Sequence, residues 1–448
     1  MERLLYDDLN RWRSARNRLP LILRGTRQVG KTYLLKQFGD REFKQCHHFD
    51  FEKSGELLGP LFDGELSPRR LLRDLSLLVG QPIDPRESLV IFDEIQNCPR
   101  ALTSLKYFSE ELPEQAVCAA GSLLGVMLSG ESFPVGKVAF LDLYPLSFEE
   151  FLLNSAEPML YAAFAGLLSD ESPSLAVHNR LWDLLKQYYV VGGMPQVVAA
   201  FVSSDAQSIE ALSLARMMQR GLLDAYMRDF NKHAGKVNAV HIASVFENIP
   251  RQLSANVDGS VRRYRFRDVV PGKRRYADLL GPIDWLVKAG LVYKVHVCTR
   301  PELPLMAFTK PNTFKLFIFD VGLLGCMLEL DPGTLVLQDY GQTKGFFAES
   351  YVACELVSAG QHALYSWSGR NSEIEFLLTR GSEIIPLEVK SGIRTKARSL
   401  RTYMEKHGTH VALKVTAKPF RKDPSPVRCI PLYSVGQLPK HLDTIRAY

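Results

Sequence analysis

Near the N-terminus the apolar positions fall in short continuous runs rather than in strict alternation. Residues 19–23, 88–92 and 116–120 each read as a strand buried on both faces, the pattern of a parallel sheet under helices. Residues 33–38 carry helical spacing, and 45–52 reads as a further strand. From 152 to 235 the period is helical, broken once by Gly192-Gly193-Met194-Pro195, which reads as a packing corner. The pattern then becomes helices, at 243–253 and again up to the stop at Gly290, followed by strands at 291–297 and 314–319. Helices followed by a hairpin predict a winged-helix-like unit. From Gly345 onward a helix at 346–356 and strands at 371–378 and 384–390, joined through Arg380-Gly381, return to an α/β pattern. The expectation is an α/β chain in four parts: a core over 1–155, a helical lid over 156–235, the winged-helix-like unit over 236–335 and a small α/β domain over 336–448.

Composition narrows this little. At 448 residues the chain has room for two or three cores, and 46% hydrophobic with 23% charged residues is ordinary for a water-soluble globular protein. The longest weakly polar run, 117–129, is too short to span a bilayer, and no charged start followed by an apolar stretch and small-residue cleavage site is present. The expectation is a cytoplasmic protein without a membrane partner. Seven scattered cysteines with no C-x-x-C pair argue for reduced thiols. A net charge of +6 permits a nucleic-acid partner without requiring one. Residues 1–18 read as an amphipathic lead-in helix whose arginines form a solvated face.

Candidate chemistry starts at Gly25-Thr26-Arg27-Gln28-Val29-Gly30-Lys31-Thr32, a G-x-x-x-x-G-K-[ST] loop between a strand and a helix. Gly25 and Gly30 allow backbone conformations in which successive N–H groups, with those of Gln28 and Val29, face one concavity, and the helix adds its positive end. Lys31 can reach the β- and γ-phosphates, and the Thr32 hydroxyl can take one Mg²⁺ position. The strand 88–92 runs into Asp93 and Glu94, placed to hold Mg²⁺ and to polarise an attacking water. Ser122, after the strand 116–120, is a candidate γ-phosphate sensor, with a plain turn serine as the alternative. Cys46, His48 and Asp50 share one strand face, read as ordinary strand surface with a metal site as the weaker alternative.

Downstream, Arg262, Arg263, Arg265, Arg267, Lys273, Arg274 and Arg275 interleave with Tyr264, Phe266 and Tyr276. The cations could neutralise DNA phosphates while the rings stack on bases; a solvated basic loop is the alternative. On the C-terminal hairpin Glu373 and Glu375 share one strand face, as do Glu388 and Lys390 on the next strand.

Two resemblances gather these pieces. The phosphate loop, Phe92-Asp93-Glu94-Ile95-Gln96, Ala120-Gly121-Ser122, Tyr144-Pro145-Leu146-Ser147-Phe148-Glu149-Glu150-Phe151 and Gly192-Gly193-Met194-Pro195, in this order, resemble a bacterial and archaeal family of AAA-type P-loop ATPases with a C-terminal domain of largely unassigned function. That resemblance implies binding and Mg²⁺-dependent hydrolysis of ATP. The family usually has Gly-Arg where this chain has Gly136-Lys137; if that arginine is a finger, hydrolysis here would either be slow or draw on another arginine such as Arg228. The second resemblance is to the PD-(D/E)xK pattern of restriction-nuclease-like folds. It implies Glu375 and Glu388 as metal ligands, Lys390 as the water partner and Glu349 as an auxiliary acid. Glutamate at 375 instead of the usual aspartate is one methylene longer, which leaves active cleavage and a fold kept only for binding both open. The expected function is an ATPase acting on a macromolecule, DNA foremost, and analogy with AAA proteins suggests a homo-oligomer. The alternatives are an ATP-dependent nuclease and a nucleotide-switched protein-interaction module.

Overall fold

A computed structural model describes residues 1–122, 134–155, 157–168, 173–204, 209–233, 236–255, 262–333, 344–369, 372–392, 398–420 and 425–446. Contacts divide the chain into two units: residues 1–144 with 288–290, and residues 145–287 with 291–448. The main break near 144, with a brief return at 288–290, differs from the boundaries at 155, 235 and 335 expected from the hydrophobic patterning.

In the first unit β1 (Leu21–Arg24), β2 (Gln45–Asp50), β3 (Ser88–Asp93), β4 (Ala116–Gly121) and β5 (Ala139–Asp142) form a parallel sheet in the order β2-β3-β4-β1-β5. Alternation sends successive side chains to opposite faces, so a continuous apolar run feeds two cores. Leu21, Leu23, Leu89, Ile91 and Cys118 pack on one face with Leu34 and Phe38 of α2 (Lys31–Glu42) and with Leu9 and Trp12 of α1 (Leu5–Ser14). Ile22, Val90, Phe92, Val117 and Ala119 pack on the other with α3 (Gly55–Phe62), α4 (Pro68–Val79) and α5 (Pro99–Glu111). The result is a three-layer α/β sandwich whose strand ends β3, β4 and β1 lie side by side.

The second unit is helical and then mixed. Its first part comprises α6 (Phe148–Leu153), α7 (Pro158–Ala165), α8 (Leu175–Val191), α9 (Pro195–Ser203), α10 (Ile209–His233), α11 (Lys236–Ser254) and α12 (Tyr276–Lys288). Phe148 meets Phe151, Phe164 and Tyr188 edge-on or stacked within 6.3 Å, and Phe151 also meets Tyr188 at 5.4 Å, the core of this helical layer. The Pro-Leu-Ser-Phe block starts α6: the Ser147 hydroxyl accepts from Glu150 N–H while the Glu150 carboxylate accepts from Ser147 N–H, a capping box. Leu146 N–H donates to Gly193 O at 2.7 Å, and a Cβ on Gly193 would stand 2.1 Å from Leu146 O. Gly193 N–H in turn donates to the buried Asp320, which caps α13 (Val321–Met327). Gly192-Gly193 is thus a place of close backbone approach.

The rest of this unit is a seven-stranded sheet in the order β12-β11-β10-β9-β8-β6-β7. Its strands are β6 (Val292–Cys298), β7 (Thr309–Ile318), β8 (Leu364–Ser368), β9 (Glu373–Arg380), β10 (Glu383–Val389), β11 (Ala412–Thr416) and β12 (Val427–Pro431). Three helices accompany it: α14 (Lys344–Ser358), α15 (Arg398–His407) and α16 (Leu438–Arg446). The hairpin β6–β7, expected as the wing of a separate winged-helix-like unit, pairs through β6 in parallel with β8. It is the edge of the C-terminal sheet, and a boundary at 335 would cut that sheet in two. Helix α14, the meander β8–β9–β10, the crossover α15 and parallel β11 follow in the order helix, three strands, helix, strand. Among the described residues no helix is long and apolar enough to cross a membrane.

Candidate functional site

The glycine-rich loop lies between β1 and α2. Gly25 has φ +152°, Gln28 φ +66° and Gly30 φ +93°. A Cβ on Gly25 would fall 2.2 Å from Leu143 O, so only glycine fits there. Lys31 is 6% exposed, and its ammonium donates to Gly25 O and Thr26 O, each at 2.8 Å. Burial lowers its pKa to about 8, against the attraction of Glu94 and Asp93. Arg3 clamps the loop from the N-terminal segment, donating to Val29 O at 3.0 Å and to Tyr144 O at 2.7 Å. Its guanidinium is therefore not part of a solvated basic face, which corrects the reading of 1–18 at that position.

Asp93 closes β3 and is almost fully buried. Its Oδ2 accepts from Thr32 Oγ1 at 2.7 Å and stands 3.0 Å from His48 Nε2. Burial alone would raise the Asp93 pKa, but the bonds from His48 and Thr32, with Glu94 N–H, hold it below the ordinary value. Glu94 adopts φ +49°, a left-handed conformation that costs a glutamate roughly 1–2 kcal/mol. The strain is held by contacts: Ser122 Oγ donates to Glu94 Oε2 at 3.2 Å, Gln96 Nε2 bonds the same oxygen, and Arg27 Nε donates to Ser122 Oγ at 3.3 Å. The structure thus brings Lys31, Thr32, Asp93, Glu94 and Ser122 together at three adjacent strand ends. Arg27 and Gln96, which the sequence reading quoted within these motifs but gave no role, join them, as do His48 and Arg3, which it did not place at the site.

The residues fit a nucleotide and Mg²⁺. A buried ammonium at the start of a helix, beside left-handed glycines whose loop can turn N–H groups inward, suits a phosphate anion. Mg²⁺ in such sites is held by a hydroxyl and one carboxylate besides phosphate oxygens and water, which Thr32 and ionised Asp93 match. The alternative metal reading at Cys46, His48 and Asp50 does not hold. Cys46 Sγ faces Gly39, His48 turns to Asp93, and Asp50 accepts from Glu52 and Lys53 N–H groups. Lys137 pairs with Glu110 at 2.9 Å, and Arg228 is exposed on α10.

Around Arg262–Arg275 the arginines are exposed, but the rings are not available for stacking on bases. Tyr264, Phe266 and Tyr276 pack on Phe314 at centroid distances of 6.4, 5.8 and 5.8 Å. The stacking part of the expectation is corrected; the cationic surface remains. Residues 256–261, at the start of this stretch, lie outside the described residues.

The C-terminal carboxylates converge as well. Lys390 Nζ stands 3.3 Å from Glu375 Oε1 and 3.4 Å from Glu388 Oε1, and Val389 N–H donates to Glu375 Oε2 at 3.2 Å. Glu349 of α14 pairs with Lys315 of β7 at 3.3 Å, and Lys315 also pairs with Glu373 at 2.7 Å. Lys315 was missed by the sequence reading. Burial pushes Glu349 and Glu388 upward. A divalent metal fits this arrangement poorly: among the described residues no group of three or more His, Cys, Asp or Glu side chains is placed to hold one. Glu388 Oε2 is buried without a hydrogen-bond partner, but one free oxygen is far short of an octahedral shell.

Comparisons with known proteins agree with the first site. Residues 17–152 match the family described as AAA domain, 183–334 a domain of unknown function (DUF8612) and 344–432 a second domain of unknown function (DUF4143). No curated protein matches the chain. Among solved structures, a Walker-type ATPase of Pyrococcus abyssi is 16% identical over 72% of this chain and 94% of its own, with a TM-score of 0.46. The Aeropyrum pernix ORC1 protein in complex with DNA is 14% identical over 72% and 90%, with a TM-score of 0.27. At such scores the overlap carries no weight beyond the family match and the loop geometry. On those two grounds residues 17–152 form an AAA-type P-loop ATPase domain.

Proposed function

We propose that this chain binds ATP with Mg²⁺ at the loop 25–32 and hydrolyses it, coupling turnover to action on a macromolecule, with DNA as the first candidate. The observation that carries the reading is the buried Lys31 ammonium beside the Thr32–Asp93 pair, with Glu94 one residue beyond Asp93. Lys31 would bind the β- and γ-phosphates and Thr32 with Asp93 would hold the ion, which supplies charge neutralisation at the phosphate oxygens. Glu94, released from Ser122 and Gln96, would accept the proton of the attacking water, and Ser122 would then be free to donate to the γ-phosphate. Exposed Arg262, Arg263, Arg265, Arg267, Arg274 and Arg275, with half-buried Lys273, would contact DNA phosphates without reading bases.

The test is ATP turnover by the parent and by Glu94→Gln, with and without single- and double-stranded DNA. The parent should hydrolyse ATP only with Mg²⁺ and faster with DNA. Glu94→Gln should lose about 10²–10⁴-fold in rate while still binding nucleotide. No nucleotide affinity in the parent would overturn the ATPase reading. Turnover indifferent to DNA, together with DNA retention that does not weaken with salt, would remove the DNA part and favour a nucleotide-switched protein-interaction module.

A further inference from the structure

The C-terminal carboxylates are those that the sequence resemblance assigned to a divalent ion, yet two lysines are already paired with them. Lys315 is the unusual one. It sits in the apolar strand segment Phe314-Lys315-Leu316-Phe317-Ile318, and its side chain is 1% exposed. A charge buried that deeply needs partners, and it has them on two other elements: Glu349 of α14 and Glu373 of β9. In the sheet order β6 and β8 lie between β7 and β9, so Lys315 closes the cluster across two intervening strands. Phe317 and Phe376, with centroids 6.4 Å apart, make the apolar contact beside it. Although burial disfavours the ammonium, the Glu349 and Glu373 carboxylates outweigh it and hold the Lys315 proton on more tightly than usual. Lys390 does the same for Glu375 and Glu388 from the partly open side, and Lys414 on β11 adds positive charge near Glu388. Four glutamates, two directly paired lysines and a third lysine nearby leave little negative charge with which to draw a divalent cation.

We propose that Lys315 is a built-in counter-ion standing in for a divalent cation, so that the carboxylate cluster is a structural ionic knot that neither binds metal nor cleaves nucleic acid. The ammonium has three donors in a compact head, enough to serve two carboxylates, and unlike an ion it cannot dissociate. The cluster thereby ties β7, β9, β10 and α14 together. This inference is independent of the ATP site.

Its test uses the full-length, nucleotide-free protein and Mn²⁺ as the probe, with free Mn²⁺ counted by electron paramagnetic resonance. The parent and Glu388→Gln should give the same Mn²⁺ isotherm. Lys315→Met, which keeps an unbranched side chain one atom shorter and removes the charge, should gain one Mn²⁺ site at least tenfold tighter than any in the parent. Adding Glu349→Gln to Lys315→Met should abolish that site. A parent site lost in Glu388→Gln would overturn the proposal, as would a folded Lys315→Met that gains nothing. Because Lys315→Met removes the direct counter-ion of the buried Glu349, Lys315→Met/Glu349→Gln supplies a readout independent of metal. Removing both charges should restore a melting temperature well above that of Lys315→Met alone. A double variant no more stable than the single one would mean that Lys315 and Glu349 are not an energetic pair.

Discussion

At the scale of single residues, Lys31 makes a prediction whose sign can be worked out. Its folded pKa, lowered by burial to about 8, lies below the ordinary 10.5. From this group alone the unfolded chain binds more protons between those values, so stability should rise with pH across that window. Nucleotide affinity should move the other way. A bound phosphate needs the ammonium, so affinity is full below pH 8 and falls above it by up to about tenfold per pH unit as a proton must be taken up. Titration with a fluorescent ATP analogue at pH 7 and pH 9.5 would show this. An affinity unchanged between the two would mean that Lys31 stays charged throughout. What sequence could reveal at this scale divides cleanly. Lys31, Asp93 and Glu94 were legible because each sits at a fixed offset from a strand end. Arg3 was not, because its acceptors, Val29 O and Tyr144 O, are brought to it only by tertiary structure. Lys315 had a faint signal: one lysine inside a run of apolar residues must find an anion or leave the core.

Among the elements, the corner at Gly192-Gly193 shows how a recognisable block can be structural. Leu146 bonds Gly193, Tyr188 OH donates to Leu146 O at 2.6 Å, and Glu355 Oε1 accepts from Phe148 N–H at 2.8 Å. Both acceptors are almost fully buried, and that burial pushes Glu355 up to about 8 and Asp320 up to about 6. Gly193→Ala, with its Cβ 2.1 Å from a carbonyl oxygen, should destabilise the protein by at least about 1–3 kcal/mol. Gly221→Ala, in the middle of α10 with nothing within 4 Å of the new methyl group, should stabilise it by roughly 0.4–1 kcal/mol. Urea unfolding midpoints of the two variants should therefore move in opposite directions, and a shared direction would contradict the close-approach account. Strand β10 shows the reverse problem for sequence reading. Pro386 inside it argues against a central strand, yet pairing with β11 starts only at Leu387. Its missing N–H thus precedes that ladder.

For the molecule as a whole, the division into residues 1–144 with 288–290 and 145–287 with 291–448 was only half visible in the sequence. Local patterning located every strand of the first sheet except β5, an edge strand whose residues are half-buried or exposed and so form no continuous apolar run. It could not tell that a hairpin at 292–318 belongs to a sheet completed at 364–431, because strand partners are not encoded in local periodicity. A fragment of residues 336–448 should consequently fail to fold. It lacks β6 and β7, and with them Lys315, leaving β8 with an open edge and Glu349 without the Lys315 ion pair. Circular dichroism and gel filtration of that fragment would check this. A monomeric, cooperatively melting product would show that β6 and β7 are dispensable additions. The pairing of Cys298 with Trp367 has a further consequence during synthesis. At about 5–20 residues per second, the hairpin leaves the ribosome several seconds before the strand that covers it. Through that interval one flank of β6 presents unmet backbone donors and acceptors, so a nascent chain stalled there is the form most exposed to aggregation and most in need of chaperone shelter.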